Sequence, residues 1–218
     1  MKRVAVIGAT GDVGRGVVRE AVSRGWEVVA VSRDASRARD LASLGVRIVT
    51  ADLTDESAAT ALATELDAAH LDAVVVATNV PSSRTFVLNH QSRDLVDSVA
   101  RTLLSHHVTM RAFLPLMDAG SVFLGVGGGM ADFVVKGYAH ASVAQAAQRM
   151  LYRTVAAEWL THPVVLELLV QSMVAGDSNR ESAPATWLTD AQIGARICDI
   201  LDDPGSHEGP ILTMAPPV

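Results

Sequence analysis

Short apolar runs of strand length alternate with longer segments of helical spacing along most of the chain. Val4-Ala5-Val6-Ile7 opens the series, so residues 3–8 read as a first strand. Val13, Val17, Val18, Ala21 and Val22 then recur at helical spacing over 12–24, and Gly25 ends that helix. A strand at 27–31, a short helix at 36–44 closed by Gly45, a strand at 46–50 and a helix at 55–69 continue the pattern. Residues 71–77 are apolar on both faces, as a central strand of a parallel sheet must be. A polar segment, 78–90, follows, and Pro81 marks it as a loop. Helices are expected at 94–117 and 137–160, around a strand at 121–126; the second carries a small-residue face of Ala141, Ala144, Ala147, Leu151 and Val155. A strand at 164–170, a loop at 171–186 of the length that covers ligands, a helix at 190–201, a turn at 202–209 and a strand at 210–214 complete the chain. Seven strands interleaved with helices predict one α/β domain over 1–218, a doubly wound parallel sheet with helices on both faces.

Composition narrows the class. The 218 residues are 49% hydrophobic, yet no run approaches the roughly 20 apolar residues that a membrane span needs. The few apolar residues after Met1-Lys2-Arg3 are too short for a signal-peptide core, so a cytoplasmic protein is expected. Cys198 is the single cysteine, which excludes an internal disulfide and a thiolate metal cluster; it sits in an apolar helical pattern and reads as core. A net charge of −6 argues against a nucleic-acid surface. Among the 18 basic residues only Lys2 and Lys136 are lysine.

The chemistry is concentrated first at Gly8-Ala9-Thr10-Gly11-Asp12-Val13-Gly14. Glycines at 8, 11 and 14, between a strand and a helix, allow a sharp turn, close backbone approach to a pyrophosphate and tight helix packing. The helix N-terminus then offers free N–H groups and a positive dipole end to the anion. A dinucleotide site is expected from Gly8, Thr10, Gly11, Asp12, Val13 and Gly14, with Asp52, Leu53 and Ala77 at the ends of the next strands. At the end of the second strand Ser32 and Arg33, with Arg37 beyond, suit a 2′-phosphate and hence NADP(H). Asp34 would repel that phosphate if turned inward, or would cap the helix that follows.

This succession resembles the short-chain dehydrogenase/reductase family of Rossmann-fold proteins over the whole chain, with a glycine spacing similar to its extended and atypical branches. The resemblance implies that Asp52-Leu53 pairs with adenine, that Tyr138 is the catalytic acid/base, and that the chain is a homodimer or homotetramer joined through helices 94–117 and 137–160. It also implies a lysine four residues after the tyrosine, a serine about 13 before it and an asparagine on the preceding helix. The chain has Ser142, the stretch Gly125-Val126-Gly127 and Thr102 at those places. Lys136 and His106 are candidate replacements, although His106 also reads as a helix–helix contact; His140 falls on the far side of a helix from Tyr138, and Tyr152 reads as core. Gly127-Gly128-Gly129 reads as open space or a flexible loop. Two functions follow as expectations: an NADP(H)-dependent oxidoreductase for a small carbonyl or alcohol, or a redox-inactive NADP(H) sensor or non-redox enzyme in the same cleft.

Overall fold

The computed structural model describes residues 1–79, 84–159 and 163–217. Pro81 and Leu160, the end of the expected second long helix, lie outside them. The strands are β1 (Arg3–Ile7), β2 (Glu27–Ser32), β3 (Arg47–Thr50), β4 (Ala73–Val76), β5 (Val122–Gly128), β6 (Val164–Val170), β7 (Val174–Ala175), β8 (Leu188–Thr189) and β9 (Ile211–Met214). The helices are α1 (Asp12–Ser23), α2 (Arg39–Ala42), α3 (Glu56–Glu65), α4 (Ser92–Phe113), α5 (Ala139–Glu158) and α6 (Asp190–Asp202). Seven strands form one parallel sheet in the order β3-β2-β1-β4-β5-β6-β9. The order reverses between β1 and β4, and the crevice at that switch point is where such sheets bind ligands.

The sheet is buried on both faces because its strands are apolar at almost every position. In β1, Val4 and Val6 pack with α1, α2 and α6, whereas Ala5 and Ile7 pack with α3, α4 and α5. On the first face the helices meet through glycine. A Cβ on Gly16 would overlap the Asp190 carbonyl, and one on Gly194 would overlap the Gly16 carbonyl, so α1 and α6 cross in backbone contact. Cys198 is buried in this layer, and burial pushes its thiol up to about 12.

Helix ends differ from the expected limits where capping chemistry decides them. Asp55 caps α3 by accepting from Ala58 N–H at 2.7 Å, and α3 closes at Glu65 rather than 69 because Asp67 takes a left-handed conformation (φ 52°). The long helix expected at 94–117 begins earlier, at Ser92, and stops at Phe113. The 171–186 loop is not wholly irregular, since its Val174–Ala175 pairs in parallel with Leu188–Thr189.

Of the expected small-residue face of α5, Ala144 is buried and Ala141, Ala147, Leu151 and Val155 are partly buried. The fully buried positions of the helix are His140, Ala144, Gln148 and Tyr152, four residues apart; Gln148 bonds Glu167 on β6 and the Tyr152 ring lies beside Phe123 on β5, whereas His140 lies beside His90. Val143 and Met150 on α5, and Val96 and Leu104 on α4, remain exposed.

Candidate functional site

The glycine turn hangs from the sheet. Gly8 takes φ +80°, and the N–H groups of Gly8 and Ala9 donate to the Val31 carbonyl at 3.0 and 3.1 Å. A Cβ on Gly8 would sit 2.7 Å from the Ala77 carbonyl oxygen, and one on Gly14 would overlap the Gly8 carbonyl. These two glycines are therefore dictated by the protein's own packing. Gly11 differs, because a Cβ there would meet only the Gly8 oxygen at an ordinary 3.5 Å. It precedes α1 with its N–H bonded to Gly8 O at 3.0 Å, and its bare surface leaves the turn approachable, as a pyrophosphate requires. Val13 packs partly buried against the core beneath.

At the β2 end, Ser32 is buried. Its hydroxyl lies 3.1 Å from Thr10 Oγ1 and accepts from Asp34 N–H at 3.2 Å, so it fixes the turn's side chains to β2. Asp34 caps the next turn by accepting from Ser36 N–H at 2.8 Å, and the Ser36 hydroxyl first, then this N–H, holds its carboxyl below the usual range. Arg33 is exposed and has no ion pair among the described residues. Beyond β3, Asp52 is exposed and accepts from Thr54 N–H and Oγ1, while Leu53 is buried in the core. Ala77 N–H donates to Ile7 O at 2.9 Å, which seats the β4 tip against the turn. The geometry thus brings every expected cofactor residue to the carboxyl ends of β1 to β4.

The other end of the cleft is built differently from the resemblance. Tyr138 is half-buried, precedes α5, and is joined to the β4–α4 connection by a bridge with Thr85, whose N–H donates to Gly137 O at 2.8 Å. His140 is not on a far side. Its ring centroid lies 6.3 Å from that of Tyr138 and 4.9 Å from that of His90, and burial lowers its basicity. Lys136 is exposed and has no bond to Tyr138 among the described residues.

The glycines of β5 are neither open space nor a flexible loop. Gly127 and Gly128 belong to the strand, where a Cβ on Gly127 would lie 2.6 Å from Glu167 Oε1 and one on Gly128 would overlap the Gln145 amide. A Cβ on Gly125 would overlap the Tyr152 hydroxyl. Tyr152 is fully buried and hydrogen-bonds His106 Nδ1 at 2.8 Å; Thr78 Oγ1 lies 3.4 Å from His106 Nε2 and 2.9 Å from Ser105 Oγ. Burial lowers His106 to about 4 and raises Tyr152 well above its ordinary value, so both are neutral near pH 7. His106 is a helix–helix contact rather than an exposed acid/base.

These features have counterparts in known proteins. The sequence pattern of the NAD(P)H-binding family matches residues 8–204. The chain belongs to this family. Its fold is that of the short-chain dehydrogenases/reductases, as three solved structures show. A variant of a Serratia marcescens short-chain dehydrogenase/reductase aligns with TM-score 0.82 and 19% identity over 99% of this chain and 96% of that one. The NADPH-bound short-chain oxidoreductase of Pseudomonas aeruginosa PAO1, described as containing an atypical catalytic center, gives 0.84 and 18% over 97% and 95%. A short-chain dehydrogenase from Mycobacterium smegmatis gives 0.78 and 23% over 97% and 91%. No curated protein sequence matches the chain.

For an NAD(P)H-binding protein the cradle fits its ligand: backbone N–H groups stand at a helix start, and Gly11 leaves the approach to them bare of side chain. One group, Glu167, and one pairing, that of Asp12 with Ser178, escaped the sequence reading. Glu167, a lone acid within an apolar strand, is fully buried on β6; Gln148 Nε2 donates to its Oε1 at 2.8 Å, and burial raises it to about 7. Asp12 is joined to Ser178, distant in sequence and therefore invisible to local patterns. Among the described residues no group of three or more His, Cys, Asp or Glu is placed to hold a metal ion, and no helix is long and apolar enough to cross a membrane.

Proposed function

We propose that the protein is an NADP(H)-dependent oxidoreductase that reduces activated carbonyl compounds with an apolar body, quinones foremost, with Tyr138 as proton donor. The observation that carries this reading is what occupies the expected catalytic positions. Gly125 and Gly127 are packed against Tyr152 and Glu167, and the hydroxyl of Ser142 is buried with no hydrogen-bond partner. Among the side chains the resemblance leads one to expect, only the Tyr138 phenol remains at the mouth of the cleft. When bound, NADPH supplies a hydride. Tyr138 would deliver the accompanying proton to the substrate oxygen and regain one from solvent. Loss of positioned acid/base assistance costs an unactivated ketone about 10²–10⁴ in rate. A quinone suffers less, because its ring spreads the charge left on oxygen after hydride addition.

Apolar side chains around Tyr138 support the substrate class. Phe86, Val87 and Leu88 follow the Thr85 bridge, Phe133 and Val134 precede Tyr138, and all five are exposed. Phe133 also packs beside Gly129 and Gln171, two residues before exposed Met173. Arg33, free to meet a 2′-phosphate, supports NADP(H) over NAD(H).

A second reading, an NADP(H)-binding protein without redox turnover, is favoured by the same packed glycines. The discriminating test follows NADPH oxidation with a quinone and with an aliphatic ketone. Turnover of the quinone at least 100-fold above the ketone, and its loss in Tyr138→Phe, is the expected result. Tight NADPH binding with no oxidation of either would establish the second reading.

A further inference from the structure

We propose that Ser178 is a positioning residue for cofactor binding: it holds the Asp12 carboxylate off the phosphate-binding turn. This rests on the NADP(H) reading of the turn. Asp12 is the first residue of α1 and lies between Gly11 and Gly14. A carboxylate there is drawn to the same helix-terminal N–H groups that a pyrophosphate needs, so it is a built-in competitor.

Both of its oxygens are engaged elsewhere. Asp12 Oδ1 accepts from Ser178 N–H at 3.0 Å, and Oδ2 accepts from Ser178 Oγ at 2.5 Å. The approach is close enough that a Cβ on Gly176 would overlap the Asp12 side chain. Ser178 does not depend on Asp12 for its own position. Asn179 accepts from Gly176 N–H and donates to Val174 O, each at 3.0 Å. Asp177 pairs with Arg19 and Arg180, and both arginines also reach Asp190, which is 2% exposed at the start of α6. The segment after β7 is therefore a fixed receiver into which the Asp12 carboxylate is drawn. Removing the serine hydroxyl frees one oxygen of Asp12 to turn back on the helix terminus. Removing the charge as well abolishes the competition.

The test is titration of NADPH fluorescence with wild type, Ser178→Ala, Asp12→Asn and the double variant, each checked by thermal melting. Loss of one hydrogen bond to a charged group predicts roughly tenfold weaker NADPH binding in Ser178→Ala. The loss should shrink in high salt, and Asp12→Asn in the same chain should return affinity to wild-type level or better. A purely structural Ser178 would instead leave the double variant as weak as Ser178→Ala, and that result, or an unchanged Ser178→Ala, overturns the proposal. Failure of wild type to bind NADPH would overturn the cofactor reading itself and this inference with it.

Discussion

Replacing Gly125 with serine looks like the way to restore the missing catalytic hydroxyl, and the packing says it will damage the protein instead. Any Cβ at this position overlaps the Tyr152 hydroxyl and the adjoining ring carbons. Tyr152 has nowhere to go, being fully buried with its ring beside Phe123 and edge-on to His106. Overpacking of this kind costs about 1–3 kcal/mol. A displaced hydroxyl also leaves buried His106 Nδ1 unpaired, for about 1–3 kcal/mol more. The sum, about 2–6 kcal/mol, corresponds to a fall in melting temperature of roughly 5–20 °C for a chain of this size. Gly125→Ala isolates the steric effect, and Gly125→Ser should behave at least as badly and gain no activity. Thermal melts by far-UV circular dichroism of Gly125→Ala, Tyr152→Leu and the double variant form a coupled cycle. The glycine substitution should cost much less once the tyrosine ring is gone. Melting of Gly125→Ala within about 2 °C of wild type would refute the reasoning.

Glu167 makes stability depend on pH in a definite direction. Its carboxyl titrates at about 7 in the folded chain against an ordinary 4.5, so between these values the native state holds a proton that the unfolded chain has lost. The contribution of Glu167 to stability should therefore fall as pH rises from 4.5 to 7, by up to about 3 kcal/mol, opposing the contribution of His106, whose lowered value favours the native state as pH rises from 4 to 6.5. Urea unfolding at about pH 5 and pH 8, on either side of that carboxyl's titration, isolates this contribution as a difference: the stability of wild type relative to Glu167→Gln should fall between the two pH values, and parallel behaviour of the two would refute it. Arg33→Ala should weaken NADP(H) binding by about 1.5–3 kcal/mol while leaving NAD(H) unchanged, as read by titration with each; equal losses would remove Arg33 from the 2′-phosphate.

The seven principal strands are legible in the sequence because parallel strands covered on both faces are apolar runs of strand length, and the short unbroken run Ala73–Val76, rich in β-branched residues, is the plainest case. The turn at Gly8 to Gly14 is legible because strand, glycines and helix are contiguous. The far end of the cleft is not. Whether Gly125 to Gly128 is a hole or a packed strand depends on Tyr152, Gln145 and Glu167, which reach it from α5 and β6. Likewise His106 carries the same signal whether it titrates in a cleft or bonds Tyr152 in the core. Ser32 reads as a ribose-end donor, yet tertiary contact engages its hydroxyl with Thr10 and Asp34.

The backbone contact between Gly16 and Gly194 bears on how the protein is born. The first helix cannot reach its final seat until the last one has been synthesised, because each supplies the surface on which the other rests. Lys2 strengthens the dependence, donating to Leu201 O and Asp202, and Arg24 pairs with Asp199 and Asp202. Contacts closed over so much sequence are made slowly. A ribosome must thus have released α6 before the nucleotide turn ahead of α1 is braced, and shortening the polypeptide at α6 should disable a site far from it in sequence.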